Sequence, residues 1–169
     1  MKNLLLIPIF SMTAYLLFIY LKYGKHKSIS ISYADLKTHE KPFFTLNLIF
    51  VAIPIMIVGI ESTQNHLAEG LFFLAGFLIT LIGASPAFWT NRMEHTAHMI
   101  GSYGGISLGM IACFVAGFPV LTLIPVFLFA IFTTIQFFVK KWQLWNYIYW
   151  IEVSALLAVI LTLLINLLQ

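Results

Sequence analysis

The sequence predicts an all-α fold, a polytopic transmembrane helix bundle forming a single domain over residues 1–169. Three observations carry that prediction. The chain is 61% hydrophobic, with a mean hydropathy of +0.97. Charged residues make up 9% of it, against about 25% in an average soluble domain. The apolar residues also come in runs near or above the ~18–20 residues that cross ~30 Å of hydrocarbon as a helix. So apolar an exterior suits a chain that meets lipid instead of water.

Six spans are expected, at about 3–22, 42–60, 67–90, 95–117, 119–139 and 145–168. The first run continues through Leu21 with no A-x-A-like site after it, so it reads as a retained helix and not a cleaved signal. Pro8 and Pro54 lie inside spans one and two, where neighbouring helices can satisfy the backbone groups they release. Pro42 opens span two in the first-turn position that tolerates proline.

The longest loop, 23–41, is rich in lysine. Within it Ser28-Ile29-Ser30-Ile31-Ser32-Tyr33 alternates polar and apolar. That is a strand-like pattern, or a short segment folded against the mouth of the bundle. Asp35, His39 and Glu40 read as solvated loop residues, and Glu61 and His66 as loop and cap groups. Asn65 or Thr63 is placed to cap span three, with Glu69 favouring its amino end. Gly117-Phe118-Pro119 leaves room only for a tight turn between spans four and five. Lys140 and Lys141 close span five, and Trp142, Trp145, Tyr147, Tyr149 and Trp150 form an aromatic belt.

The basic residues set the orientation. Lys22, Lys25, Lys27, Lys37, Lys41, Arg92, Lys140 and Lys141 fall at three loops on one side, and only Lys2 on the other. The positive-inside rule places loops 23–41, 91–94 and 140–144 in the cytoplasm and both termini outside the cell membrane. Basic residues confined to short loops do not point to nucleic acid. The lone cysteine, Cys113, excludes an internal disulfide framework and reads as a small buried side chain.

Span four carries the densest chemistry. Glu94 and His95 stand at its cytoplasmic mouth, His98 one turn in, and Ser102 and Tyr103 a turn deeper. Glu94 and His98 are i,i+4, His95 and His98 are i,i+3, and Ser102 continues the His98 face. In span six Glu152 lies seven residues past Trp145, roughly 10 Å deep, where an ionisable group facing lipid is costly. Asn47, Ser85 and Gln136 belong to the same leaflet. These groups imply a polar cavity in the cytoplasmic half, opening under the serine-rich loop, or else a hydrogen-bonded plug that sets helix register. His95, His98 and Glu152 are also of the type that holds zinc with a water in the open position. Gly101, Gly105 and Gly109 offer a small-residue face for packing inside the bundle or for a homodimer. No phosphate-binding loop, dinucleotide fingerprint, H-E-x-x-H or cysteine-based metal motif occurs.

Ser28-Ile29-Ser30-Ile31-Ser32-Tyr33, Asn65-His66-Leu67-Ala68, and Ser85-Pro86 followed by His95 or His98 carry a family likeness. In these the chain resembles an uncharacterised family of small bacterial six-span membrane proteins, over roughly residues 28–110. That family is distantly similar to the CREST group of membrane hydrolases, which hold zinc with histidines and an aspartate. The one aspartate here, Asp35, lies in a loop. The resemblance implies six spans and draws attention to His98.

Three functions remain open on this reading. The first is a carrier, sensor or accessory subunit that binds a small or lipid-like ligand. The second is a metal-dependent hydrolase acting on a lipid ester or amide. The third is proton-coupled transport through Glu152 and His98.

Overall fold

Helix boundaries fall where the sequence supplies caps and stops. The computed structural model describes residues 2–24, 26, 28–86, 88, 90–138 and 147–168. Seven α-helices run through them: α1 Leu6–Tyr23, α2 Ser32–Asp35, α3 Lys41–Ser62, α4 His66–Ala84, α5 Arg92–Val115, α6 Pro119–Phe138 and α7 Tyr147–Asn166. A single 3-10 turn, Lys2–Leu5, leads into α1. There is no strand among the described residues.

The caps have clear chemical causes. Asn65 Oδ1 accepts from the backbone N–H of Leu67 (2.9 Å) and of Ala68 (3.4 Å), as expected of a span-three cap. Asn91 does the same for α5 through Met93 N–H at 2.9 Å. Pro42 sits in the first turn of α3. The turn between α5 and α6 is a Schellman motif: Phe118 N–H bonds Cys113 O at 3.0 Å and Gly117 N–H bonds Phe114 O at 3.1 Å. Gly117 has φ 93°, a conformation only glycine adopts without strain.

Five helical stretches are long and apolar enough to cross a membrane: Asn3–Tyr23, Lys41–Ser62, His66–Ala84, Arg92–Val115 and Ile148–Asn166. In α6 the apolar stretch counted is shorter, Pro119–Ile135. Large side chains such as Phe10, Leu21, Phe114 and Phe127 point outward, which suits lipid and not water.

Helix α3 is the centre. Phe44, Val51, Ala52, Ile55 and Val58 are fully buried in it, and it packs against α1, α4 and α7. Helix α4 lies between α3 and α5, and glycines set both distances. A Cβ at Gly76 would meet Met56 Cγ at 2.4 Å and Ala52 O at 2.8 Å on α3. A Cβ at Gly101 would meet Leu78 O at 2.7 Å on α4. Gly105 also faces the α4 backbone, and Gly109 faces Val159 of α7. The face offered to a second copy at Gly101, Gly105 and Gly109 is thus taken up inside the chain, because these helices approach to near backbone contact. Within α5, residues Ile100–Gly104 form one π-helical turn in this glycine-rich stretch.

Three boundaries differ from expectation. Span three, expected to reach residue 90, ends at Ala84, and Ser85 leaves the helix. Span four begins at Arg92, not at 95, because Asn91 caps it. Of the two expectations for residues 28–33, the strand is not formed and the short folded segment is: they make turns and the start of α2, with no strand among the described residues to offer a ladder. The belt residues Trp142 and Trp145 and the 140–144 loop lie outside the described residues.

Gly101→Val should be destabilising by about 1–3 kcal/mol, the cost of overpacking against a backbone oxygen that cannot move aside. Gly70 has nothing within 4 Å of a built Cβ, so Gly70→Ala should be neutral or stabilise. Thermal unfolding of the two variants in one detergent checks both.

Candidate functional site

The mouth of the bundle is filled by the loop after α1. Glu152 Oε2, in the second turn of α7, accepts the Ile29 backbone N–H at 2.7 Å across 123 positions of sequence. The Tyr15 hydroxyl and Ser32 Oγ are hydrogen-bonded at 2.7 Å, and Ser32 Oγ donates to Ile29 O at 2.5 Å. Ser28 Oγ accepts from Ile31 N–H at 3.1 Å. Ser28, Ile29, Ser30, Ser32 and Leu36 are all buried. The alternating serines therefore serve a tucked segment that satisfies its own backbone where there is no sheet to do so.

A second tie closes the loop. Glu40 is 3% exposed and accepts from Lys22 Nζ, from the Tyr23 hydroxyl and, at 3.1 Å, from Lys37 N–H. The Lys22 ammonium first, then the Tyr23 hydroxyl, hold its carboxyl well below the usual carboxylate range. Glu40 was expected to be solvated; the end of α1 supplies the cation and the hydroxyl that bury it. His26 is buried too, with Nδ1 3.2 Å from Asp35 Oδ2. His39 stays exposed beside Glu40.

The residues expected to line one cavity are instead bonded in separate pairs. Asn47 accepts from Ser11 Oγ at 2.9 Å, on α1. His98 is 2% exposed, its Nδ1 3.0 Å from Ser85 O, and its ring stacks on Phe88 at 4.0 Å. His95 points outward. Glu94 is half-buried, and its charge, after burial, raises the Tyr33 hydroxyl pKa. Ser102 is half-buried and Tyr103 faces out at 69% exposure. Nothing is described of the Gln136 side chain. Among the described residues no three His, Cys, Asp or Glu side chains are grouped to hold a metal ion. His95, His98 and Glu152 are therefore not brought together as zinc ligands: one faces out, one bonds Ser85 and one bonds the loop.

The polar recess lies elsewhere on the same end of the molecule. Phe88, Thr90, Asn91, Arg92 and His95 line a recess of about 470 Å³ at the start of α5. Phe88 forms its wall on one side and covers His98 on the other. By contrast the crevice among α3, α4, α5 and α7 is apolar and holds about 10 Å³, room for no more than a water. Sequence reasoning points to the stretch that holds Asn91, Arg92 and His95, but not to Phe88 or Thr90. The cue is the Asn91-Arg92 pair after Thr90, a capping asparagine at the head of span four. Comparison with protein-family models, curated proteins and solved structures finds no match to this chain.

Replacing Glu152 tests the loop tie. Glu152→Ala leaves the Ile29 N–H without its acceptor, worth about 1–3 kcal/mol, so local hydrogen exchange over 29–36 should speed up roughly 10- to 100-fold. Glu152→Gln keeps an acceptor oxygen and should change exchange less.

Proposed function

We propose that this chain is a six-span protein of the cell membrane that binds a small or lipid-like ligand in the recess at the start of α5. The recess carries the reading. It is open to the surface, it mixes an aromatic wall with Thr90, Asn91, Arg92 and His95, and it stands at the polar end of a helix long and apolar enough to span a membrane. Binding sites usually combine such shape with a few convergent polar groups. The sixth span is α6: its twenty residues hold no charged side chain, and it packs on α5 and α7 as a member of the bundle.

In this reading the recess faces the cytoplasm together with the lysine-rich loop, and both termini are outside. The basic residues support that side. A binding role, and not hydrolysis at a zinc, is favoured because His95, His98 and Glu152 each have separate surroundings.

Ligand retention tests the site. Thr90→Trp puts an indole into the recess, so the small molecules or lipids that co-purify with the wild type in mild detergent should fall several-fold by mass spectrometry. Equal recovery from both proteins would remove the recess as the binding place.

Topology has its own check. In a Cys113→Ala background, Glu61→Cys should react with a membrane-impermeant maleimide on intact cells, and Lys37→Cys only after permeabilisation. The reverse pattern would invert the orientation.

A further inference from the structure

The side chains of the recess are not a random polar set. Arg92 is the chain's sole arginine, the other eight basic residues being lysine. Among the described residues its guanidinium is in no ion pair. Arg92 and His95 are i,i+3 and share a face of α5, and both line the recess. Glu94 lies about 200° around the helix from Arg92 at ~100° per residue and is not among the lining residues. Its charge acts on Tyr33 and the loop instead. The first turn of α5 thus separates its charges, with cation and imidazole toward the recess and carboxylate away from it.

The remaining groups suit the same ligand. Thr90 supplies a hydroxyl and Asn91 an amide, and a neutral imidazole still has one N–H to donate. The recess also sits at the amino end of a long helix, where the backbone dipole favours negative charge. Guanidinium binds the oxygens of phosphate in a two-pronged geometry that ammonium cannot match. Phe88 gives the recess an apolar wall, and the membrane-facing apolar surface of α5 begins just beyond.

We infer that the recess recognises a phosphate group, with Arg92 as its main contact and His95, Thr90 and Asn91 completing the donors. This rests on the recess being the binding site. The phosphate is carried on a lipid headgroup or arrives as a small soluble anion, and the two sources are separable by experiment.

The test uses the full chain in detergent and native mass spectrometry. It compares phosphatidylglycerol with diacylglycerol of the same acyl chains, and adds inorganic phosphate as competitor. Wild type should retain phosphatidylglycerol over diacylglycerol. Arg92→Ala should weaken phosphatidylglycerol about tenfold, the size of one charge-assisted pair, and Arg92→Lys should lose part of that. His66→Ala, at the opposite end, should change nothing. Displacement by millimolar inorganic phosphate supports phosphate recognition and assigns a soluble anion; its failure, with the Arg92 effect intact, supports a lipid headgroup. Equal retention of both lipids, still abolished by Thr90→Trp, overturns phosphate recognition and leaves the recess as a binding site. Retention indifferent to Thr90→Trp and to Arg92→Ala overturns both.

Discussion

A backbone amide inside hydrocarbon has no water to turn to, and much of this molecule follows from that constraint. The long helices meet it internally. The segment between α1 and α3 cannot do so over most of its length, yet Ser28, Ile29, Ser30 and Ser32 in it are buried. Its solution is a carboxylate from the far end of the chain: Glu152 accepts the Ile29 N–H, while Ser28 and Ser32 close the local turns. An ionisable residue in a membrane helix, costly on its own, thereby acquires a structural partner.

The helices that frame this mouth are held by close approach. In a bilayer, apolar side chains gain little by choosing one another over lipid, so small residues that let backbones come near decide which helices pair. Gly76 admits α3 to α4, and Gly101 and Gly105 admit α4 to α5. At this end of the seam Phe88 stacks on His98, and the recess lies beside it. The candidate site is an open recess at the start of α5, not a cavity inside the bundle.

The helical membrane architecture is legible because it depends on composition and run length, and the cap at Asn65 because it depends on local hydrogen bonds; the Asn91 cap is the one that shifts the start of span four away from 95. Cys113 was read as buried, and it is. The site was less legible. Glu94, His95 and His98 group by helical spacing, but Glu152 joins them by depth alone, and depth does not say which way a side chain faces. Glu40 is buried by partners 17 and 18 residues away, and His26 pairs with one 9 away, in a loop with no periodicity to read. Asp35, assigned to solvent, is about half exposed and paired.

The π turn at Ile100–Gly104 has a rotational consequence. Such a turn holds one more residue than an α turn, so the two parts of α5 are out of phase by roughly 100°, one residue's step around an α-helix. Around this turn Ser102 is half-buried and Tyr103 faces out, while Gly101 and Gly105 lie against the α4 backbone. The glycine seam and the Arg92–His95 face are thus set by two separate angular registers on one helix. The close packing needed in the membrane does not dictate what its end presents to the surface.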